Sequence, residues 1–158
     1  MVISYYDVAQ ICLSGHIINE HFGKHAERNR TFCHKCGEKT ITQCPSCKTN
    51  INGYYHLDQY EGHGLFSTPS YCHNCGKPYP WTDNKIQTAI QIFAEFGKLD
   101  ENEKETIEED IKNISRNIPQ SELSALRIKK IWKKYGQIAY GVVMDFASKT
   151  TAEILKNP

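Results

Sequence analysis

The chain has 158 residues, a formal charge of +1, 23% charged and 39% hydrophobic side chains. These values exclude bulk disorder and give no ground for a strongly basic nucleic-acid binder, and the length suits one domain or a small module joined to a second. No run approaches the ~20 apolar residues of a membrane-spanning helix, and Met1 to Asp7 has neither the basic start nor the apolar stretch of a signal peptide. A cytoplasmic, reducing location is therefore expected, where closely spaced cysteines hold metal rather than each other. Seven cysteines, an odd number, also argue against a closed disulfide set.

All seven lie between Cys12 and Cys75, so the chain divides by chemistry. Residues 1–83 are rich in Cys, His, Gly, Pro and Tyr, which suits turns and short strands. The expected fold is α+β: a small zinc-ribbon-like β module over 1–83 with two structural zinc sites, followed by an α-helical bundle over 84–158.

In chain order, the first motif is Cys12-Leu13-Ser14-Gly15-His16, a thiol with an imidazole four residues on and a glycine between them. Cys33-His34-Lys35-Cys36-Gly37 follows, then Cys44-Pro45-Ser46-Cys47, and later Cys72-His73-Asn74-Cys75-Gly76. Two residues between cysteines let both sulfurs of a tight turn meet one ion at ~2.3 Å. Gly37 and Gly76 supply backbone freedom for such turns, and Pro45 stiffens the other. Cys12, Cys33, Cys36, Cys44, Cys47, Cys72 and Cys75 with His16 make eight ligands, enough for two closed four-coordinate sites. Zinc is the expected ion because thiolates are soft and it has no redox chemistry, although a Cys₄ set also accommodates iron. Spacing does not decide which pairs share an ion. The β-branched run Thr40-Ile41-Thr42 suggests a hairpin joining Cys33, Cys36, Cys44 and Cys47, which leaves Cys12 and His16 with Cys72 and Cys75; a sequential or a cross-braced pairing is the alternative.

Between the second and third cysteine pairs, the segment Gly53 to Gly64 contains His56, Asp58 and His63, a polar set that reads more readily as a solvated connection than as an active site. Tyr54, Tyr55, Tyr60, Phe66, Tyr71, Tyr79 and Trp81 crowd around the last pair. Any of them left at the surface suit a protein hot spot or base stacking.

From Asn84 the periodicity becomes helical. Ile86, Ile90, Phe93 and Phe96 share one face, with Gly97 as a stop; Ile107, Ile111, Ile114 and Ile118 form the next stripe, ended by Pro119. Ser121 opens a third helix with Leu123, Leu126 and Ile131, and its stripe continues through Tyr135, Ile138, Val142 and Phe146 towards Ile154 and Leu155, with a break at Gly136 or Gly141. Arg127, Lys129, Lys130, Lys133 and Lys134 are the densest basic stretch, either a solvated face or a phosphate-contacting patch.

Tyr6-Asp7-Val8-Ala9-Gln10-Ile11-Cys12, Gly15-His16, Ile18-Asn19, the three CxxC pairs with Phe32, Thr40-Ile41 and Tyr71, and Pro78-Tyr79-Pro80-Trp81-Thr82 resemble a bacterial zinc-ribbon family catalogued as a domain of unknown function, number 2321. Ala125, Arg127, Lys129, Lys130 and Ser148-Lys149 extend the similarity over nearly the whole chain. The resemblance implies metal binding and a bacterial origin, and no activity, substrate or partner. The expected function is a noncatalytic zinc-binding adaptor engaging a protein partner; a nucleic-acid-binding ribbon using residues 127–134 is the alternative, and an enzyme comes third.

Overall fold

In the computed structural model of the chain, residues 4–57, 66–96, 99–135, 143–144 and 147–156 are described. They form two units, Met1–Asp83 and Asn84–Pro158, and the architecture is α+β, with small antiparallel sheets preceding helices.

In the first unit β1 (Ser4–Val8) pairs with β5 (Asn52–Leu57), while β2 (Gln10–Cys12) lies between β3 (Ile17–Asn19) and β4 (Thr40–Ile41). The strands are short because turns interrupt them. Side-chain hydrogen bonds tie the pieces together instead: Gln10 Nε2 donates to Thr40 Oγ1 at 2.9 Å and to the Arg30 carbonyl at 2.8 Å, and its Oε1 accepts from the Arg30 N–H at 3.0 Å. The core is small, built from Ala9, Ile11, Ile51, Tyr79 and Trp81 around Cys44 and Cys72. So few large apolar residues leave most of the ordering entropy to be offset by other cross-links.

The two sheets meet at a close backbone approach that requires Gly53. A Cβ there would stand 2.3 Å from the Glu20 carbonyl oxygen and 2.9 Å from Ala9 N. Opposite it, the β1–β5 register shifts between Tyr6 and Val8, so two β5 residues, Gly53 and Tyr54, face Asp7. Such a bulge re-aims neighbouring side chains.

The helical elements are α1 (Pro80–Phe96), α2 (Glu101–Arg116), α3 (Ser121–Tyr135) and α4 (Lys149–Lys156). α1 starts at Pro80 rather than at Asn84, because proline's fixed φ and missing N–H suit the first helical position. Ile86 and Phe93 are buried on its expected face, joined by Ala89, and Ile90 packs beside them. The Asp100 carboxylate accepts from the Glu103 N–H at 2.8 Å while the Glu103 side chain returns to the Asp100 N–H, a capping box at the start of α2. Ile107, Ile111 and Ile114 are fully buried as the periodicity requires. The helix stops at Arg116, before Ile118, with Asn117 in the left-handed region (φ 50°). Pro119 disfavours a helical conformation for Ile118 and so sets that end.

α3 presents a different face from the one expected. Leu123 and Leu126 are 53% and 49% exposed, whereas Ser121, Ser124, Ala125 and Ile128 are buried. Polar pairing with α2 turns the helix: Ser121 Oγ donates to the Asn113 carbonyl at 2.7 Å, Asn113 Nδ2 donates to Ser124 Oγ at 3.3 Å, and Arg127 grips the fully buried Asp110 carboxylate at 2.6–3.1 Å. Leu155 of α4 is buried in this core and Ile154 packs against it. Gly97, Gly136, Ile138, Gly141, Val142 and Phe146 lie outside the described residues.

Candidate metal centres

The three CxxC turns share one backbone construction. In each, the residue after the second cysteine donates its N–H to the first cysteine's carbonyl: Gly37 to Cys33 at 2.8 Å, Lys48 to Cys44 at 2.9 Å and Gly76 to Cys72 at 2.9 Å. The first cysteine's N–H in turn reaches the carbonyl of Glu38, Thr49 or Lys77 at 2.8–2.9 Å. That geometry needs positive φ at the closing position, found at Gly37 (75°), Gly76 (69°) and, without glycine, Lys48 (63°). The Cys12 loop is built differently. Cys12 N–H donates to the His16 carbonyl at 3.0 Å and Gly15, at φ 88°, returns its N–H to the Cys12 carbonyl. A Cβ on Gly15 would lie 3.0 Å from Trp81 Cβ, so glycine is also needed for the packing of Trp81.

Two groups of four ligand atoms result, Cys12 with His16, Cys33 and Cys36, and Cys44 with Cys47, Cys72 and Cys75, each within 4.8 Å of one another. In the first, Cys12 Sγ is 3.7 Å from Cys36 Sγ and 3.5 Å from His16 Nδ1, and Cys33 Sγ is 3.6 Å from that nitrogen. In the second, Cys44 Sγ lies 3.8 Å from Cys75 Sγ and Cys47 Sγ 3.6 Å from Cys72 Sγ. A tetrahedron with sulfurs at about 2.3 Å from its centre has S···S edges of about 3.8 Å, and a nitrogen corner at about 2.1 Å shortens them to about 3.6 Å. A disulfide would bring sulfurs to about 2.05 Å. The observed spacings fit metal coordination, and side chains fill all four corners of each group.

The pairing is sequential, not the nested one that a Thr40-Ile41-Thr42 hairpin suggests. β4 pairs with β2 instead, Ile11 opposite Ile41 and Cys12 opposite Thr40, and Leu13 N–H donates to the Lys39 carbonyl at 3.0 Å. The strand that was expected to join Cys36 to Cys44 thus draws Cys33 and Cys36 onto Cys12. Ile51 N–H to the Thr42 carbonyl and Ala9 N–H to the Ile51 carbonyl carry the second turn away from the first.

The thiols in the second group are electrostatically unequal. Hydrogen bonds from the Thr49 side chain and backbone pull Cys47 down to about 5. The Lys77 N–H favours the Cys75 thiolate, but burial and the neighbouring sulfurs of Cys47, Cys72 and Cys44 outweigh it and push Cys75 up to about 11. Four adjacent thiols cannot all ionise against their mutual repulsion, and a divalent cation supplies the charge that makes four thiolates compatible. Tyr79, 1% exposed and stacked on Trp81 at 4.8 Å, has its hydroxyl ionisation raised by burial and by the Cys72 sulfur.

Of the other imidazoles, neither His34 nor His73 joins the sulfurs of its own turn; both are exposed. His21 and His56 instead form a third group with Asp7, which spacing did not reveal. Asp58 and His63 of the polar loop, with Tyr60, lie outside the described residues. In the basic stretch, Arg127 is committed to Asp110 and Lys129 Nζ donates to the Ile154 carbonyl at 3.0 Å, while the side chains of Lys133 and Lys134 lie outside the described residues.

Among the described residues no helix is long and apolar enough to cross a membrane. No curated protein and no solved structure matches the chain. A family profile does match it over residues 5–157, almost its full length, and the chain therefore belongs to the family described as uncharacterized proteins conserved in bacteria, DUF2321.

Proposed function

We propose that the chain is a zinc-stabilised, noncatalytic interaction protein that docks a protein partner on one face of its β1–β5 pair. The observation carrying this reading is an aromatic pair left at the surface. Tyr6 and Tyr55 face each other across the strands with ring centroids 4.6 Å apart, yet are 54% and 41% exposed, and Leu57 beside them is 47% exposed. Adjacent rigid aromatics with polar tips are the usual anchors of protein interfaces.

Zinc is the ion the donor sets favour, since seven thiolates and one imidazole suit a borderline-soft ion without redox chemistry. Cys12, His16, Cys33 and Cys36 would hold one ion and Cys44, Cys47, Cys72 and Cys75 the other. Filled corners leave no position for substrate, so each ion would serve as a cross-link for the small core. Thiolate ligation also fits a reducing compartment such as the cytoplasm. Seven thiolates with two Zn²⁺ lower the formal charge of +1 by three, to about −2. That balance, with Arg127 and Lys129 already engaged, supports a protein partner over nucleic acid.

The test is affinity capture of the full-length chain from a native bacterial host with quantitative mass spectrometry. A protein recovered in near-stoichiometric amount should fall at least tenfold with Tyr6→Ser/Tyr55→Ser and persist with Lys130→Ala. Equal recovery by all three forms refutes the tyrosine face. Co-purifying nucleic acid, with heparin retention that collapses as salt rises, would establish the nucleic-acid reading in its place.

A further inference from the structure

The opposite face of the same strand pair carries a second kind of chemistry. Side chains alternate across a sheet, so Tyr6 and Tyr55 point one way while Tyr5, Asp7, Tyr54 and His56 point the other. There Asp7 Oδ2 lies 2.6 Å from His21 Nδ1 and 2.7 Å from His56 Nε2. His21 arrives from the segment after β3, and backbone bonds on both sides pin it: Tyr54 N–H donates to the Glu20 carbonyl at 3.1 Å and Phe22 N–H to the Val8 carbonyl at 3.0 Å. Tyr5 stacks on His56 at 4.6 Å, and Tyr54 contacts the rings of His21 and His56 at 4.8 and 4.9 Å. The imidazoles are therefore oriented by the fold, and side-chain exposures of 10% for Asp7, 16% for His21 and 24% for His56 leave the group reachable from one side.

We infer that Asp7, His21 and His56 form a third metal site, for a divalent transition-metal ion, distinct in kind from the two thiolate centres. Two imidazole nitrogens and one carboxylate oxygen are a donor set for zinc, iron(II), cobalt or nickel, and three protein ligands leave coordination positions for water or an exogenous ligand. Each imidazole stands in hydrogen-bond contact with Asp7 Oδ2, and the three ligand atoms lie within 4.8 Å of one another. Bonds of about 2.1 Å to a shared tetrahedral ion would set the ligand atoms about 3.4 Å apart, opening each nitrogen–Oδ2 contact by less than about 1 Å, which rotamer adjustment supplies. The ion takes the lone pairs of His21 Nδ1 and His56 Nε2, with each ring neutral in the tautomer that carries its single proton on the other nitrogen. The exposed Lys24 ammonium, 3.4 Å from His56 Nε2 and 2.7 Å from the Tyr5 hydroxyl, already places a positive charge beside the group. Its flexible stem lets it withdraw when the ion binds.

The experiment uses the full chain with its thiolate sites filled by Zn²⁺, titrated with Co²⁺ and followed by calorimetry and by metal analysis after desalting. The wild-type chain should take one further equivalent, with weak d–d absorption and no new sulfur-to-cobalt charge transfer. Asp7→Asn should weaken that step at least tenfold and His56→Gln should abolish it, while His34→Gln/His73→Gln leaves it unchanged and all variants retain two zinc ions. No third equivalent in the wild type, or an equal one in Asp7→Asn and His56→Gln, overturns the site. If those variants fail to fold, wild-type acylation by diethylpyrocarbonate decides: Co²⁺ should protect His21 and His56 but not His34, and equal labelling with and without cobalt counts against the site.

Discussion

Replacing one cysteine in each group gives variants whose surviving centres differ in composition, and the difference reports the pairing. In Cys36→Ser the intact group is Cys44, Cys47, Cys72 and Cys75, with four sulfurs; in Cys75→Ser it is Cys12, His16, Cys33 and Cys36, with three sulfurs and a nitrogen. With one equivalent of Co²⁺ in place of zinc, the intact group fills first. Sulfur-to-cobalt charge transfer counts bound thiolates, so the intensities should stand near 4:3 in favour of Cys36→Ser, with the d–d bands of Cys75→Ser displaced by its nitrogen ligand. A nested pairing would reverse both results, because Cys36→Ser would then keep the histidine-containing centre. Each variant should also lose one zinc. A structural zinc site contributes ~10 to 16 kcal/mol of apparent binding free energy, comparable with or above the ~5 to 15 kcal/mol of a whole domain, so the damaged region should open and melt at lower temperature. A reversed intensity ratio refutes the sequential pairing. Normal zinc content with unchanged melting in either variant would sink the metal assignment itself.

Gly53→Ala should cost about 3 kcal/mol or abolish soluble expression, since its Cβ would meet the Glu20 carbonyl oxygen at 2.3 Å; a denaturation midpoint equal to wild type would show that the sheets separate more easily than their contacts indicate. Lys48→Gly should be neutral or stabilise by up to about 1 kcal/mol, because it relieves a left-handed backbone at φ 63°, whereas Gly37→Ala, at φ 75° with open space around it, should cost about 1 to 2 kcal/mol; thermal melts of the zinc-loaded proteins compare the two. Arg127→Ala strands the fully buried Asp110 carboxylate and should destabilise the helical unit by about 2 to 3 kcal/mol, below the usual figure for a buried pair because the Arg127 side chain is 41% exposed. A double-mutant cycle with Asp110→Asn measures the coupling, and a value near zero would refute it.

The candidate ligands could be found in the sequence because metal chelation within a turn is local. Cys33 and Cys36, or Cys12 and His16, are brought together by a few backbone hydrogen bonds, and three identical spacings leave little room for another reading. The buried stripes of α1 and α2 were equally legible at Ile86, Phe93, Ile107, Ile111 and Ile114, since the 3.6-residue period is set by the helix itself. α3 departed from its apparent stripe because burial there follows polar partners: Asp110 and Asn113 select Arg127, Ser121 and Ser124, and the helix turns Leu123 and Leu126 outward. That preference belongs to α2, so no inspection of α3 alone could supply it.

Composition and spacing thus determined the candidate donor set, its softness and the number of four-coordinate centres it could complete. Tertiary structure decided which pairs meet, because strand partnership is a choice between distant segments: Thr40-Ile41 could close a local hairpin or join β2, and Gln10 with Ile11 draws it to β2. The Asp7, His21 and His56 group is decided wholly at that level. Its imidazoles lie 14 and 49 residues from the carboxylate, with no motif linking the three, and only the β1–β5 register and the backbone bonds flanking His21 bring three chemically ordinary side chains to a common point.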